Sequence, residues 1–370
     1  MNVYQQIEEY NEPREILTHL KREEQLIDAE MSASEHGFLC GLVKRFRPKK
    51  LVEVGVAAGG TSAVILQCIQ SLGLDTEMYS VDLSEKFYGV PEKVCGYLLP
   101  VAEKCGISLS HHTLMLGKVV AARLGEIGSD IDFLILDTAH VMPGENLDFL
   151  ACFPYLKNDA VVVVHDTAYQ FKSSKATEFG FATSILFQTV VANKFLNNAV
   201  AHPNIAAFQI TEDTSKYIAD VFAALMIPWQ YIPEAEHLCA YEAVLIKHYP
   251  ENCMRLYYQA KGEMAGVPYV ELRSTLALTA RQKILLYGTR NTAYTYFSYL
   301  SKHGIEVTGF VVSDGRKKTQ SFNGLPVYYF SEIPYNKADT LIIQANGAQE
   351  VTAILEASDW KWLKIDRFCK

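Results

Sequence analysis

The sequence predicts an α/β chain: an open, mostly parallel sheet with helices on both faces, then a second, smaller Rossmann-like α/β unit. Three observations predict this. Short apolar runs ending in Gly or an acid alternate with helical patterns from Leu51 to Asp166. The first run, Leu51–Leu66 (LVEVGVAAGGTSAVIL), passes directly into a glycine turn and a helix. The same alternation restarts near Arg281.

At 370 residues the chain is long enough for two domains, at ~150 residues each. Nearly half of it is apolar, so a large core can form. A net charge of −8 argues against a general nucleic-acid binder. No apolar run approaches the ~20 residues of a membrane span, and the polar start MNVYQQIEEY lacks the basic and apolar regions of a signal peptide. The eight Cys form no C-x-x-C pair, and most sit among apolar residues, as reduced core thiols do. These features predict a cytoplasmic protein without a membrane partner.

Residues 1–46 are expected to form an N-terminal helical cap. Ser32 and Glu35 have capping-box spacing before a helix over Glu35–Phe46, and Pro48 stops that helix. The first domain then runs over residues 47–235. Its strands are predicted at Leu51–Val54, Met78–Asp82, Ile107–Ser110, Ile131–Asp137 and Ala160–Asp166, with a late strand at Asn204–Ile210. Helices are predicted over Ala63–Leu72, Glu145–Phe153, 171–200 and 214–226. Residues 236–280 read as a helical linker whose helical part contains four Tyr, which makes a homodimer plausible.

The turn after the first strand carries Gly55, Gly59 and Gly60, then Thr61 and Ser62. Glycine permits a positive φ and a close ligand, and the following helix offers free N–H groups at its positive end. Such a loop suits an S-adenosylmethionine site, a dinucleotide site or a plain packing turn. Asp82 ends the second strand about twenty residues later, the position from which a carboxylate accepts both ribose hydroxyls of a nucleoside. The alternative is a helix N-cap over Asp82–Glu85. Ligands of open α/β sheets bind outside the carboxyl ends of the strands, where Asp82, Asp137, His140, His165 and Asp166 all fall. This convergence favours a site over a packing turn.

In residues 281–370, strands are predicted at Lys283–Gly288, Ile305–Val312, Leu325–Val327 and Leu341–Gln344, with a helix over Thr292–His303. The loop Gly288–Ala293 keeps the first and last small residues of G-x-G-x-x-G/A but has Arg290 at the middle glycine. Arg290 suits either a phosphate met by charge or a nucleotide-free interaction domain.

Together these segments resemble a known family. Glu53-x-Gly55-x-x-x-Gly59-x-Thr61 resembles motif I of the class I S-adenosylmethionine-dependent methyltransferases. Residues Ile131–Thr167, with ILD-x-x-H and VVVVHDT, resemble the catechol O-methyltransferase type and its bacterial methyltransferase family 24, cephalosporin-hydroxylase-like, branch. The likeness covers about residues 30–170 and implies a Rossmann-like class I methyltransferase sheet. It implies that Glu53, Gly55, Gly59 and Thr61 surround the methionine half of S-adenosyl-L-methionine, that Asp82 holds the ribose, and that Gly117 and Lys118 lie by the adenine. It implies a divalent cation, Mg²⁺ or another, at Asp137, His165 and Asp166, although the family pair at the last two places is usually Asp-Asn or Glu-Asp. The family's base is often a Lys three residues after the first metal acid. His140 has that spacing, and an imidazole titrating near ~6.5 suits a base. His165 is expected either to bind the cation or to orient the acid. The segments KILLYGTRNTA, GFVVSD, GLPVYYFSEI and ADTLIIQA resemble small Rossmann-like domains of bacterial sugar-modifying enzymes and sugar acyltransferases.

The expected function is therefore O-methylation of a small-molecule acceptor, with sugars and natural products as the candidate classes and with His140 and Asp137 as catalytic residues. Two rivals remain at this level. One is a catalytically silent scaffold that keeps the cofactor fold. The other is a nucleotide-sugar oxidoreductase or epimerase using the C-terminal unit, against which stand Arg290 and the lack of a nearby Y-x-x-x-K.

Overall fold

The computed structural model describes residues 4–24, 31–168, 182–197, 203–227, 229, 231–264, 283–289, 291–302, 305–316, 319–345 and 348–364. The chain divides into two compact units, Met1–Gly266 and Val267–Lys370.

The first unit is built on one eight-stranded sheet. Its strands are β1 (Tyr4–Gln5), β2 (Lys50–Val54), β3 (Glu77–Asp82), β4 (His112–Leu116), β5 (Ile131–Leu136), β6 (Leu156–His165), β7 (Asn193–Leu196) and β8 (Ile205–Gln209). Their spatial order is β1-β7-β8-β6-β5-β2-β3-β4. β2 pairs in parallel with both β3 and β5, and β4 and β6 extend the parallel set. β8 runs antiparallel to β6 and β7. The chain leaves β2 toward β3 and β4, then returns on the other side as β5. The order thus reverses between β2 and β5, where an open α/β sheet leaves a crevice at its carboxyl ends.

Burial explains the mainly apolar strand runs. Successive side chains point to opposite faces, and here both faces are covered. Val52, Leu134, Leu136, Val162 and Val164 face one core with Phe149 and Phe208. Leu51, Phe133, Ile135, Val161 and Val163 face the other with Phe38, Leu39 and Ile65. The second core holds helices α1 (Ile16–Glu23), α2 (Ala33–Phe46), α3 (Gly60–Ser71) and α4 (Leu99–Lys104). The first holds α5 (Leu124–Ile127), α6 (Gly144–Cys152), α7 (Ala182–Thr189), α9 (Ile218–Ala224), α10 (Ala235–His248) and α11 (Glu251–Met264), with the polar α8 (Glu212–Lys216) leading into α9. α2 starts with the expected capping box: the Ser32 hydroxyl accepts the Glu35 N–H, and a Glu35 oxygen accepts the Ser32 N–H.

Several boundaries differ from expectation. The third strand lies at His112–Leu116, not Ile107–Ser110; Ile107 is buried in the helix-side core, while Met78 of β3 pairs with His112. Part of residues 171–200 is strand: β7 alternates an intermediate Lys194 with a buried Phe195 and pairs with β8. Residues 169–181 and 198–200 lie outside the described residues. The 214–226 helix is two helices meeting at Tyr217, and the 236–262 stretch is broken at Tyr249–Pro250, because Pro disfavours helix in the residue before it.

The second unit is a further α/β domain. Strands β9 (Lys283–Tyr287), β10 (Gly309–Val312), β11 (Ser321–Phe322), β12 (Leu325–Tyr329), β13 (Thr340–Gln344) and β14 (Lys361–Lys364) lie in the order β11-β12-β10-β9-β13-β14. All pairs are parallel except β11 with β12. Helices α12 (Asn291–Lys302) and α13 (Gln349–Glu356) accompany them. The strand predicted from Ile305 begins only at Gly309, and β14 was not foreseen. Arg290 lies outside the described residues. Among the described residues, no helix is long and apolar enough to cross a membrane.

Candidate active site

The register places the ends of four parallel strands at one level: Val54 lies beside Val81 on one side and Leu136 on the other, and Leu136 lies beside Val164. The residues just past these ends are Gly55, Asp82, Asp137 and His165–Asp166. They line the crevice where the strand order reverses.

Gly55 is required there. Its φ is +97°, and a Cβ added to it would lie 1.8 Å from the Asp137 carbonyl oxygen. Gly59 (φ +87°) begins α3, whose first turn has no side-chain cap and so presents free N–H groups. Asp82 braces this loop. Its Oδ2 accepts the N–H groups of Val56 (2.9 Å) and Ala57 (3.1 Å), and its Oδ1 accepts that of Ser84 (2.8 Å). Glu53 points into the α3 side, fully buried, with the Ser62 and Ser80 hydroxyls both donating to Oε2 at 2.6 Å. Burial pushes its carboxyl up to about 7 against those two hydrogen bonds, and the charges of Asp137 and Asp82 push the same way. Thr61 Oγ1 lies 3.2 Å from Nε2 of the fully buried His36. Burial, reinforced by the Arg14 charge, lowers that imidazole to about 4, so it is neutral. Gly117 follows β4, donates its N–H to the Asp82 carbonyl and sits beside Glu85; Lys118 is exposed.

Across the crevice, Asp137, His140 and Asp166 bring one ligand atom each within 4.8 Å of one another. His140 Nε2 is 3.6 Å from Asp137 Oδ1 and 3.2 Å from Asp166 Oδ2. Its Nδ1 is 3.2 Å from Oε1 of the fully buried Glu145, which also accepts the His140 backbone N–H at 2.6 Å. Asn204 donates to the other Asp166 oxygen. His140 and Asp166 both have φ +57°, the left-handed region that costs a non-glycine residue about 1–3 kcal/mol and is tolerated mostly at functional sites.

The sequence predicts an ordinary imidazole at His140, and the folded site surrounds it with three carboxylates. Burial opposes its charge, but Glu145, Asp166 and Asp137 outweigh burial and raise it to about 9. His165 stands behind the triad rather than in it. Its Nδ1 is 2.9 Å from Asp137 Oδ1, and its Nε2 faces Glu35 Oε1 at 3.5 Å. Burial again opposes the charge, and Asp137 and Glu35 again overcome it, holding this imidazole well above its usual value. Asp137 itself is lowered, because the His165 charge and hydrogen bond outweigh burial.

Sequence reasoning missed four supporting residues. Glu35 was legible only as a helix cap. Glu145 and Asn204 carried no signal, since their roles depend on contacts across the fold. Asp148 is buried on α6; its Oδ1 accepts the Tyr241 hydroxyl (2.6 Å) and its Oδ2 the Thr138 hydroxyl (3.2 Å). Burial pushes its carboxyl up to about 7 in spite of them.

Residues 52–167, which contain every one of these strand ends, match the model of a family described as a methyltransferase domain. This segment is a methyltransferase domain. Its sheet is the Rossmann-like class I methyltransferase sheet expected from the sequence. Among solved structures, the chain is similar to TomG, an O-methyltransferase from Streptomyces achromogenes involved in tomaymycin synthesis and solved with SAM. The identity is 15%, covering 55% of this chain and 91% of that one, with a TM-score of 0.38. It is also similar to an O-methyltransferase from Bacillus cereus solved with SAH, at 12% identity, 53% and 90% coverage and a TM-score of 0.38. A methyltransferase from Geobacter sulfurreducens gives 13%, 54%, 89% and 0.36. Outside the methyltransferase domain, residues 280–356 match the model of the C2185-like N-terminal family. No curated protein matches the chain.

Proposed function

We propose that the chain is an S-adenosylmethionine-dependent O-methyltransferase that acts on a hydroxyl of a small acceptor, with sugars and natural-product hydroxyls as the first classes to test. The observation that carries this reading is the meeting of two half-sites at the β2/β5 reversal of a methyltransferase domain. One half is an acid-braced glycine loop with an uncapped helix start, and the other is a carboxylate–imidazole–carboxylate triad.

The donor set fits a divalent cation. Asp137, His140 and Asp166 would hold it, and each already has an outer partner: His165 on Asp137, Glu145 on His140 and Asn204 on Asp166. That second layer is what orients metal ligands. Because Nε2 of His140 faces both acids and Nδ1 faces Glu145, His140 serves as a ligand, replacing both His165 in that set and its own expected role as base. One imidazole with two carboxylates suits Mn²⁺, Fe²⁺ or Zn²⁺ better than Mg²⁺. Such a cation lowers the pKa of an acceptor hydroxyl.

The chain's own contribution is mainly placement. The glycine loop holds the sulfonium methyl donor, and the triad holds the acceptor oxygen so that oxygen, methyl carbon and sulfur fall in line. The O–C bond forms as the C–S bond breaks, its electron pair stays on sulfur, and the hydroxyl proton leaves to solvent or a site carboxylate.

The test is transfer of labelled methyl from S-adenosylmethionine to a panel of sugars and phenols, with Mn²⁺ and with chelator. The expected result is transfer to at least one acceptor, lost with chelator and in Asp137→Asn. Transfer unaffected by both would remove the cation from this account. A chain that binds no S-adenosylmethionine would overturn it altogether.

A further inference from the structure

Two consecutive residues at the start of α2 point to the two half-sites. Glu35 reaches His165, which holds Asp137; His36 reaches Thr61, in the first turn of α3. Both are buried, Glu35 at 8% and His36 at 0% exposure. α2 is also tied on its outer side. The carbonyl of Gly37, the next residue, accepts the Tyr10 N–H, and a Cβ on Gly37 would lie 2.5 Å from the Asn11 side chain. The first turn of α2 thus packs against Tyr10 and Asn11 on its outer side.

We propose that Glu35 and His36 are positioning residues for different halves of the site: Glu35 sets the Asp137 carboxylate through His165, and His36 sets Thr61 and the start of α3. This rests on the methyltransferase reading above. It gives α2 a function that helix capping does not explain. The capping box uses only Oε2 of Glu35, at 2.5 Å from the Ser32 N–H, and leaves Oε1 for His165. Among the described residues, the buried His165 Nε2 makes no hydrogen bond, and Glu35 Oε1, at 3.5 Å, is the carboxylate it faces. His36 has no capping role. Among the described residues, the one hydrogen bond of its ring is that with Thr61, and its Nδ1 is buried without a partner.

Substitutions separate the two roles. Glu35→Gln keeps the capping box, in which Gln serves as well as Glu, but places an amide NH₂ where His165 meets an acceptor. His36→Phe keeps the ring volume and removes the bond to Thr61. His36→Gln restores an amide, able to donate or accept, near the position of Nε2. The measurements are Mn²⁺ affinity by electron paramagnetic resonance and S-adenosylhomocysteine affinity by calorimetry, on the full chain.

Glu35→Gln is expected to weaken Mn²⁺ binding about tenfold or more and to leave S-adenosylhomocysteine within about twofold. His36→Phe is expected to do the reverse, weakening S-adenosylhomocysteine roughly fivefold, with recovery in His36→Gln. Equal losses of both ligands in both variants, or no loss in either, would overturn the proposal. If the wild type bound neither probe, the methyltransferase reading would fail. The Glu35 link is then read from the ring ¹⁵N shifts of His165 in histidine-labelled protein. A shift in Glu35→Gln sustains that link, and unchanged ring signals overturn it.

Discussion

Nε2 of His140 lies 3.2 Å from Oδ2 of Asp166, while Nδ1 of the same ring lies 3.2 Å from the buried Glu145. One imidazole thus meets carboxylates at both nitrogens, and at neutral pH it carries a proton that a cation would have to displace.

Mn²⁺ binding is therefore expected to strengthen with pH. Below about 9 His140 is protonated, and each pH unit further down weakens binding by about tenfold. Calorimetry at pH 7 and pH 8, in buffers of different ionisation heat, should show release of about one proton per ion. Affinity that is flat over this range would exclude His140 as a ligand.

Glu53→Gln should stabilise the fold at alkaline pH. The folded chain keeps a proton on Glu53 between about 4.5 and about 7 that the unfolded chain has lost, so stability falls as pH rises through that window. A neutral amide, whose oxygen still accepts from Ser62 and Ser80, removes that penalty. The expected gain in urea unfolding is about 3 kcal/mol at pH 8 and near zero at pH 4. A loss of stability at pH 8 would show that the carboxylate is stabilised in the folded chain.

Tyr241→Phe should cost stability in the opposite sense. Tyr241 donates to buried Asp148, and without that bond the charged carboxylate is left poorly solvated. The expected loss is about 1–3 kcal/mol at pH 8 and less at pH 5, where Asp148, raised to about 7, is already protonated in the folded chain. An equal loss at both pH values would mean that packing, not the carboxylate, is what Tyr241 supplies.

Gly55→Ala should unfold the methyltransferase domain or displace Asp137. Backbone lies where the methyl group would go, and φ is +97°. A loss of more than about 3 kcal/mol is expected, because neither strand end can yield without breaking the β2–β5 register. Thermal unfolding within a degree of the wild type would contradict this placement.

The sheet was legible because β2, β5 and β6 are buried on both faces, so they read as mainly apolar runs followed closely by Gly or Asp. The third strand was not, because Ile107 advertises burial while the paired residues His112–Leu116 alternate weakly. β7 and β14 are short edge-side strands fixed by pairing rather than by local pattern. At the site, Asp137 and Asp166 were legible from their places at strand ends. That His140 rather than His165 stands between Asp137 and Asp166 was not, because the positive φ of His140 and Asp166 and the reach of Glu35 and Glu145 are properties of the folded backbone.

The most direct test of the central claim is calorimetric titration of the full chain with S-adenosylhomocysteine, repeated on Asp82→Ala. The account predicts stoichiometric binding by the wild type and at least about tenfold weaker binding by the variant, since Asp82 holds the loop through the Val56 and Ala57 N–H groups. Absence of binding by the wild type, or equal binding by both, would contradict it.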